Sequence, residues 1–171
     1  MSTTRSGATP GIIVVGLDGG EHGDDALRFA LDEAARTGDT VEVITTWEVP
    51  AELSPLTVLE GAVSLDGLEA EARERQDAAV ARVRAGRPET EISARLMRGD
   101  AGVLLVQAAR NARLLVVGSR GLGPFRAVML GSVGQYCARH AVCPVVVVPS
   151  HPGAATEKAH ARSAQVALTD S

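Results

Sequence analysis

The stretch from Leu114 to Ser132, LLVVGSRGLGPFRAVMLGS, restricts what this chain can fold into more than any other. An apolar run, Leu114-Leu115-Val116-Val117, breaks at once into Gly118-Ser119-Arg120-Gly121, and Gly131-Ser132 then opens a helical pattern. A short apolar run bounded by glycine reads as a buried strand. A strand that empties into a glycine-rich loop ahead of a helix is how α/β proteins cradle phosphates. Glycine bares backbone N–H groups, and the positive end of the following helix favours an anion. The spacing G-x2-G-x9-G-S is long and specific.

Charge supports the same reading. Residues 1–100 hold 19 acids against 10 arginines, a net of −9. Residues 101–149 hold no acid and five arginines, Arg110, Arg113, Arg120, Arg126 and Arg139. The loop therefore lies in the basic part of an acidic chain, with Arg120 and Arg126 inside it, which suits a small polyanion. The overall charge of −4 argues against nucleic acid as the main partner.

The rest of the chain repeats the strand-then-helix pattern. Residues 1–10 are polar and read as disordered. Gly11–Gly16 is a β-branched run typical of a parallel strand buried on both faces. After the turn at Asp18-Gly19-Gly20, Asp24 can cap a helix whose Leu27, Ala30, Leu31 and Ala34 share one face, and Gly38 ends it. Thr40–Trp47 is a second strand, and 48–61 is a long connection of the kind that forms flaps. Leu65–Ala85 is a charged helix broken by Gly86-Arg87-Pro88. Thr90–Met97 is a third strand, with Ile92, Ala94 and Leu96 on one side. Gly99-Asp100 caps a helix to about Ala112. Ser132 caps the last helix, with Val133, Tyr136, Cys137 and His140 on one face. Pro144 starts the final strand, Val145–Val148. Residues 150–171 read as a flexible tail.

Five strands alternating with four helices predict a single doubly wound α/β domain over 11–149, built on a parallel sheet in the order 3-2-1-4-5. Ligands on such sheets bind beyond the strands' carboxyl ends, where strand order reverses. With only four Trp, Tyr or Phe residues, the core must be Val, Leu, Ile and Ala. Strand five would be a bare edge, and a homodimer through Val145–Val148 is the economical way to cover it. Cys137 and Cys143 match no zinc or redox spacing and read as core residues. With no hydrophobic leader and no apolar run near the ~20 residues of a membrane span, the expectation is a soluble, cytoplasmic protein with no membrane partner.

These residues resemble the universal stress protein family, and specifically its ATP-binding branch with the motif G-x2-G-x9-G-[S/T], matched by Gly118, Gly121, Gly131 and Ser132. VVGLDG near the start and GSVGQYCARHAVCPVVVV near the end are also similar. The resemblance covers roughly residues 10–149 and implies an adenine-nucleotide α-hydrolase-like fold that binds ATP, with or without Mg²⁺. It implies that Asp18 accepts hydrogen bonds from the nucleoside, with Gly16 close to the base and Thr46 at the adenine. It further implies that Val117 and Gly118 flank base and ribose, and that Ser119, Arg120 and Gly121 begin the phosphate loop. Gly131, Ser132, Val133 and Gly134 would receive phosphates through backbone N–H groups and the Ser132 hydroxyl. Gly134 and Gly20 stand where many relatives carry hydroxyl residues.

The function expected is a regulatory or stress-response nucleotide binder with at most slow ATP hydrolysis. A fast phosphotransferase commonly needs a lysine on the phosphates and a carboxylate on magnesium. The chain's one lysine is Lys158, and the loop has no acid. No catalytic or metal-ligating set is assigned, and His22, His140, His151 and His160 are unaccompanied. A receiver module would need clustered acids, but Asp18 stands alone. An FMN binder would need aromatic walls, for which Trp47 is the well-placed candidate. A scaffold or dimerisation module that binds no nucleotide is the remaining alternative.

Overall fold

The computed structural model describes residues 10–49, 64–85, 90–119 and 130–149. Most of the 48–61 connection, the Gly86–Pro88 break, loop residues 120–129 and the two ends lie outside the described residues.

Five parallel strands form one sheet in the order β3-β2-β1-β4-β5. They are β1 (Ile12–Gly16), β2 (Thr40–Trp47), β3 (Ile92–Arg98), β4 (Leu114–Gly118) and β5 (Val145–Val148). Ile13, Val14 and Val15 of β1 and Leu115 and Val116 of β4 are at most 1% exposed, as expected where helices cover both faces. The core divides accordingly. Ile13, Val15, Val41, Val43 and Val116 meet helix α1 (Glu21–Thr37) and helix α2 (Leu65–Arg84) on one face. Val14, Ile44, Leu115 and Val117 meet α3 (Ala101–Ala108) and α4 (Ser132–His140) on the other.

The helices carry the stripes their sequence periodicity requires. Ala26, Leu27, Ala30, Leu31 and Ala34 of α1 are buried, and Gly38 closes the helix with φ 80° while its N–H donates to the Ala34 carbonyl. In α2 the buried stripe is Ala72, Gln76, Ala79 and Val83. The Gln76 amide is satisfied by donating to the Arg95 carbonyl at 3.0 Å. Asp100 caps α3 by accepting from the Val103 N–H at 2.9 Å, and a 3-10 turn, Ala109–Asn111, carries that segment on.

Two helix starts differ from the sequence expectation. α1 begins at Glu21 with Gly20 as its uncapped N-cap, so Asp24 lies inside the first turn. Its carboxylate, 6% exposed, accepts two hydrogen bonds from one edge of the Arg82 guanidinium of α2, from Nη2 at 3.0 Å and from Nε at 3.1 Å. A two-pronged tertiary partner outcompetes a local cap. α4 begins with Gly131 as N-cap, so Ser132 is the first helical residue and caps nothing. Strand β3 starts at Ile92 and not Thr90, and Ala94 is exposed, because this edge strand is only partly covered by α2.

On the last helix, Val133 and Cys137 join the core and Tyr136 packs on Gly102, but His140 is exposed and stacks on the Tyr136 ring. Burial pushes the Cys137 thiol up to about 11 and raises Cys143, so both behave as apolar groups at neutral pH. Each Val of β5 is half-buried, and among the described residues the strand pairs with β4 alone.

At the foot of the sheet, Asp39 ties three elements together. It accepts from the Gly11 N–H at 2.8 Å, the Thr37 hydroxyl at 2.6 Å and Arg113 at 2.7 Å. Burial alone would raise its pKa. The Thr37 and Gly11 hydrogen bonds and the Arg113 charge outweigh that and hold it below the ordinary 3.8.

Candidate nucleotide site

The chain runs outward from β1 to β2 and β3 on one side and to β4 and β5 on the other. The reversal of strand order therefore falls between β1 and β4. Val15 pairs with Val116, which sets the next residues, Gly16 and Val117, side by side at the carboxyl edge. Thr46, half-buried, stands at the same edge on β2 and pairs with Met97. Thr46 and Val117 lie on the α3/α4 face, as the alternation from Ile44 and Leu115 requires.

Beyond β1 the backbone turns tightly. The Asp18 carboxylate accepts from the Gly20 N–H at 2.9 Å, an Asx turn that fixes its direction. Gly19 has φ 79°, and a Cβ there would lie 2.8 Å from the Arg75 Cβ, so the turn demands glycine. Gly23 leaves room for the Leu17 side chain and for Asp18, whose Oδ1 lies 3.1 Å from where a Cβ would stand.

Beyond β4 the Ser119 N–H donates to the Val148 carbonyl at 2.8 Å, and the Ser119 carbonyl accepts from the Gly131 N–H at 3.0 Å. This last bond docks the start of α4 directly over the end of β4. It also commits the Gly131 N–H, which leaves Ser132, Val133 and Gly134 as the first-turn donors. Among the described residues no side chain caps them. The positive helix end and its orphan N–H groups face the carboxyl edge of the sheet, where an anion is stabilised. Arg120, Gly121 and Arg126 lie outside the described residues.

Three neighbours of the site are not evident in sequence. Leu105 of α3 lies against Gly16, with its Cδ1 2.8 Å from where a Cβ would stand. Leu130 folds over Gly134 in the same way at 2.6 Å, its carbonyl held by the Gln135 amide at 2.7 Å. Met97 completes the wall beside Thr46. Helical periodicity marks Leu105 as a core residue, but nothing local ties it to Gly16. Among the described residues no group of three His, Cys, Asp or Glu side chains is placed to hold a metal ion. No described helix is long and apolar enough to cross a membrane.

The Universal stress protein family matches residues 11–149. The chain is 33% identical over 146 residues to a universal stress protein of Mycobacterium tuberculosis, covering 85% of this chain and 51% of that protein. A universal stress protein of Mycolicibacterium smegmatis is 29% identical over 136 residues, covering 80% of this chain and 45% of that one. The chain thus spans about half the length of the curated relatives it matches. The structure of universal stress protein UspA from Lactobacillus plantarum has the same fold, with a TM-score of 0.69 at 23% identity over 82% of this chain and 99% of that one. A universal stress protein solved in complex with cAMP aligns with a TM-score of 0.54 at 27% identity, over 84% of this chain and 100% of that one.

Proposed function

The chain belongs to the universal stress protein family, and we propose that this protein binds an adenine nucleotide, ATP, and acts as a regulatory binder. The observation that carries this reading is the uncapped start of α4, docked over the end of β4 by the hydrogen bond from Gly131 to Ser119. The structural neighbour crystallised with cAMP supports an adenine nucleotide as the ligand class.

In this reading the phosphates accept hydrogen bonds from the N–H groups of Ser132, Val133 and Gly134 and from the Ser132 hydroxyl. Ser119, Arg120 and Gly121 shape the phosphate loop, and Arg126 adds positive charge. Asp18, preset by its Asx turn, accepts from the nucleoside end. Gly16, Thr46, Val117 and Gly118 form the wall for base and ribose. Bound Mg²⁺ would be held by the phosphates together with the Ser132 hydroxyl and Asp18, and would supply charge neutralisation.

Turnover is slow in this account. Residues 101–149 contain no carboxylate to act as a base beside the phosphates, and the one lysine of the chain is Lys158. A homodimer through β5 completes the proposal. The assay is calorimetric titration of ATP with magnesium into the wild type and Asp18→Ala. The account expects saturable binding that weakens about tenfold or more in the variant, the loss of one hydrogen bond to a charged group. Equal affinity in the two proteins would remove Asp18 from the site.

A further inference from the structure

The other face of the same sheet edge carries a concavity separate from the candidate nucleotide site. Thr45 pairs with Leu96 and Trp47 pairs with Arg98, so these four residues share the α1/α2 face of β2 and β3. Trp47, Leu96 and Arg98 join Leu65, Asp66 and Glu69 of α2 around a cleft of about 320 Å³. That is the small end of the range for ligand sites, a size for a metabolite smaller than a nucleotide.

We propose that this cleft binds a zwitterionic α-amino acid with an apolar side chain. Its two walls carry opposite, uncommitted charges. The Arg98 guanidinium lies over the Trp47 ring, 5.4 Å from the centroid, and no carboxylate is within ion-pair distance of it among the described residues. Its N–H fork is open to a carboxylate. Across the cleft, Glu69 is taken by Arg73 at 3.1 Å, but Asp66 has no cationic partner among the described residues. It is open to an ammonium group.

The cleft is lined as well by the half-buried Trp47, Leu65 and Leu96. A ligand complementary to all three features has a carboxylate, an ammonium and an apolar body. One register pair further in on the same face, beside Leu96, the Thr45 hydroxyl is buried with no hydrogen-bond partner among the described residues.

Trp47 is the chain's sole tryptophan and lines this cleft, so its fluorescence gives a direct readout of binding there. The experiment is titration of the full chain with L-leucine, read by tryptophan emission and by calorimetry. The expected result is a saturable response below about 10 mM that weakens about tenfold or more in both Asp66→Asn and Arg98→Gln. Asp66 and Arg98 are exposed, so these variants keep the fold, which circular dichroism checks. N-acetyl-leucinamide, with the same side chain and neither charge, is expected to bind far more weakly. Three results overturn the proposal: neither emission change nor heat with leucine, equal binding of the uncharged analogue, or unchanged binding in both variants. ATP titration of the same variants is expected to match the wild type, which keeps failure here distinct from failure of the nucleotide reading.

Discussion

Gly131 offers a perturbation in which stability and binding move in opposite directions. It is the N-cap of α4, with φ −60° and ψ 161°, the extended geometry that N-cap side chains adopt. Among the described residues, a Cβ at this position would meet only the Ser119 carbonyl oxygen, at an ordinary 3.6 Å. Gly131→Asp therefore fits without strain. Its carboxylate caps the free N–H groups of the first turn, which adds a few tenths of a kcal/mol over glycine. Reduced freedom of the unfolded chain adds about 0.4–1 kcal/mol more. The sum, about 1 kcal/mol, raises Tm by roughly 2–4 °C for a chain of this size.

The same carboxylate stands where the phosphates must sit. It consumes their donors and sets a negative charge about 4 Å from them, a repulsion of about 4 kcal/mol at an effective dielectric of 20. ATP affinity should fall about a thousandfold. Thermal melts and calorimetric titration on the same preparation measure both effects. A variant that gains stability yet binds ATP within about twofold of the wild type would refute phosphate binding at this helix end.

Three further outcomes follow from the packing. Asp39 is held below its ordinary pKa, so its contribution to stability is complete above about pH 5 and is lost as pH falls through the lowered folded value. Asp39→Asn should cost about 1–3 kcal/mol at neutral pH and flatten the acid limb of a urea-denaturation series. An unchanged limb would mean that another carboxylate controls it. Leu31→Ala empties a fully buried position under the sheet and should cost about 2–5 kcal/mol by chemical denaturation. Val146→Lys places charge on β5 at a residue that packs in neither core, unlike Val145, Val147 and Val148. It should leave a folded monomer by light scattering, and an unchanged oligomer would remove the β5 dimer.

The strands and the sheet order were legible because parallel strands buried on both faces must be continuous apolar runs, as in IIVVG and LLVVG. Helix starts were less so. A local reading assigns the cap to the nearest Asp or Ser, but Asp24 is drawn to Arg82, 58 residues away, and glycine caps two of the four described α-helices. Such an exchange has no local signature. The placement of Gly16, Asp18, Thr46 and Val117 at the carboxyl edge was legible because each ends or directly follows an apolar run that reads as a strand. The wall formed by Leu105, Leu130 and Met97 was not, since each reads only as an apolar residue and reaches the site through tertiary packing. The cleft at Trp47 was hidden for the same reason. Its charges come from α2 and β3, and only the packing of α2 over the β2–β3 edge brings them together.

The most direct test of nucleotide binding is to purify the chain, denature it and weigh the released small molecules by mass spectrometry. The account predicts ATP or ADP near one per chain, or an empty protein that takes up added ATP with magnesium to that ratio. An empty protein that also fails to bind added ATP would contradict it. The chain would then be a scaffold of the same fold, with its glycine loop serving only the packing of strand against helix.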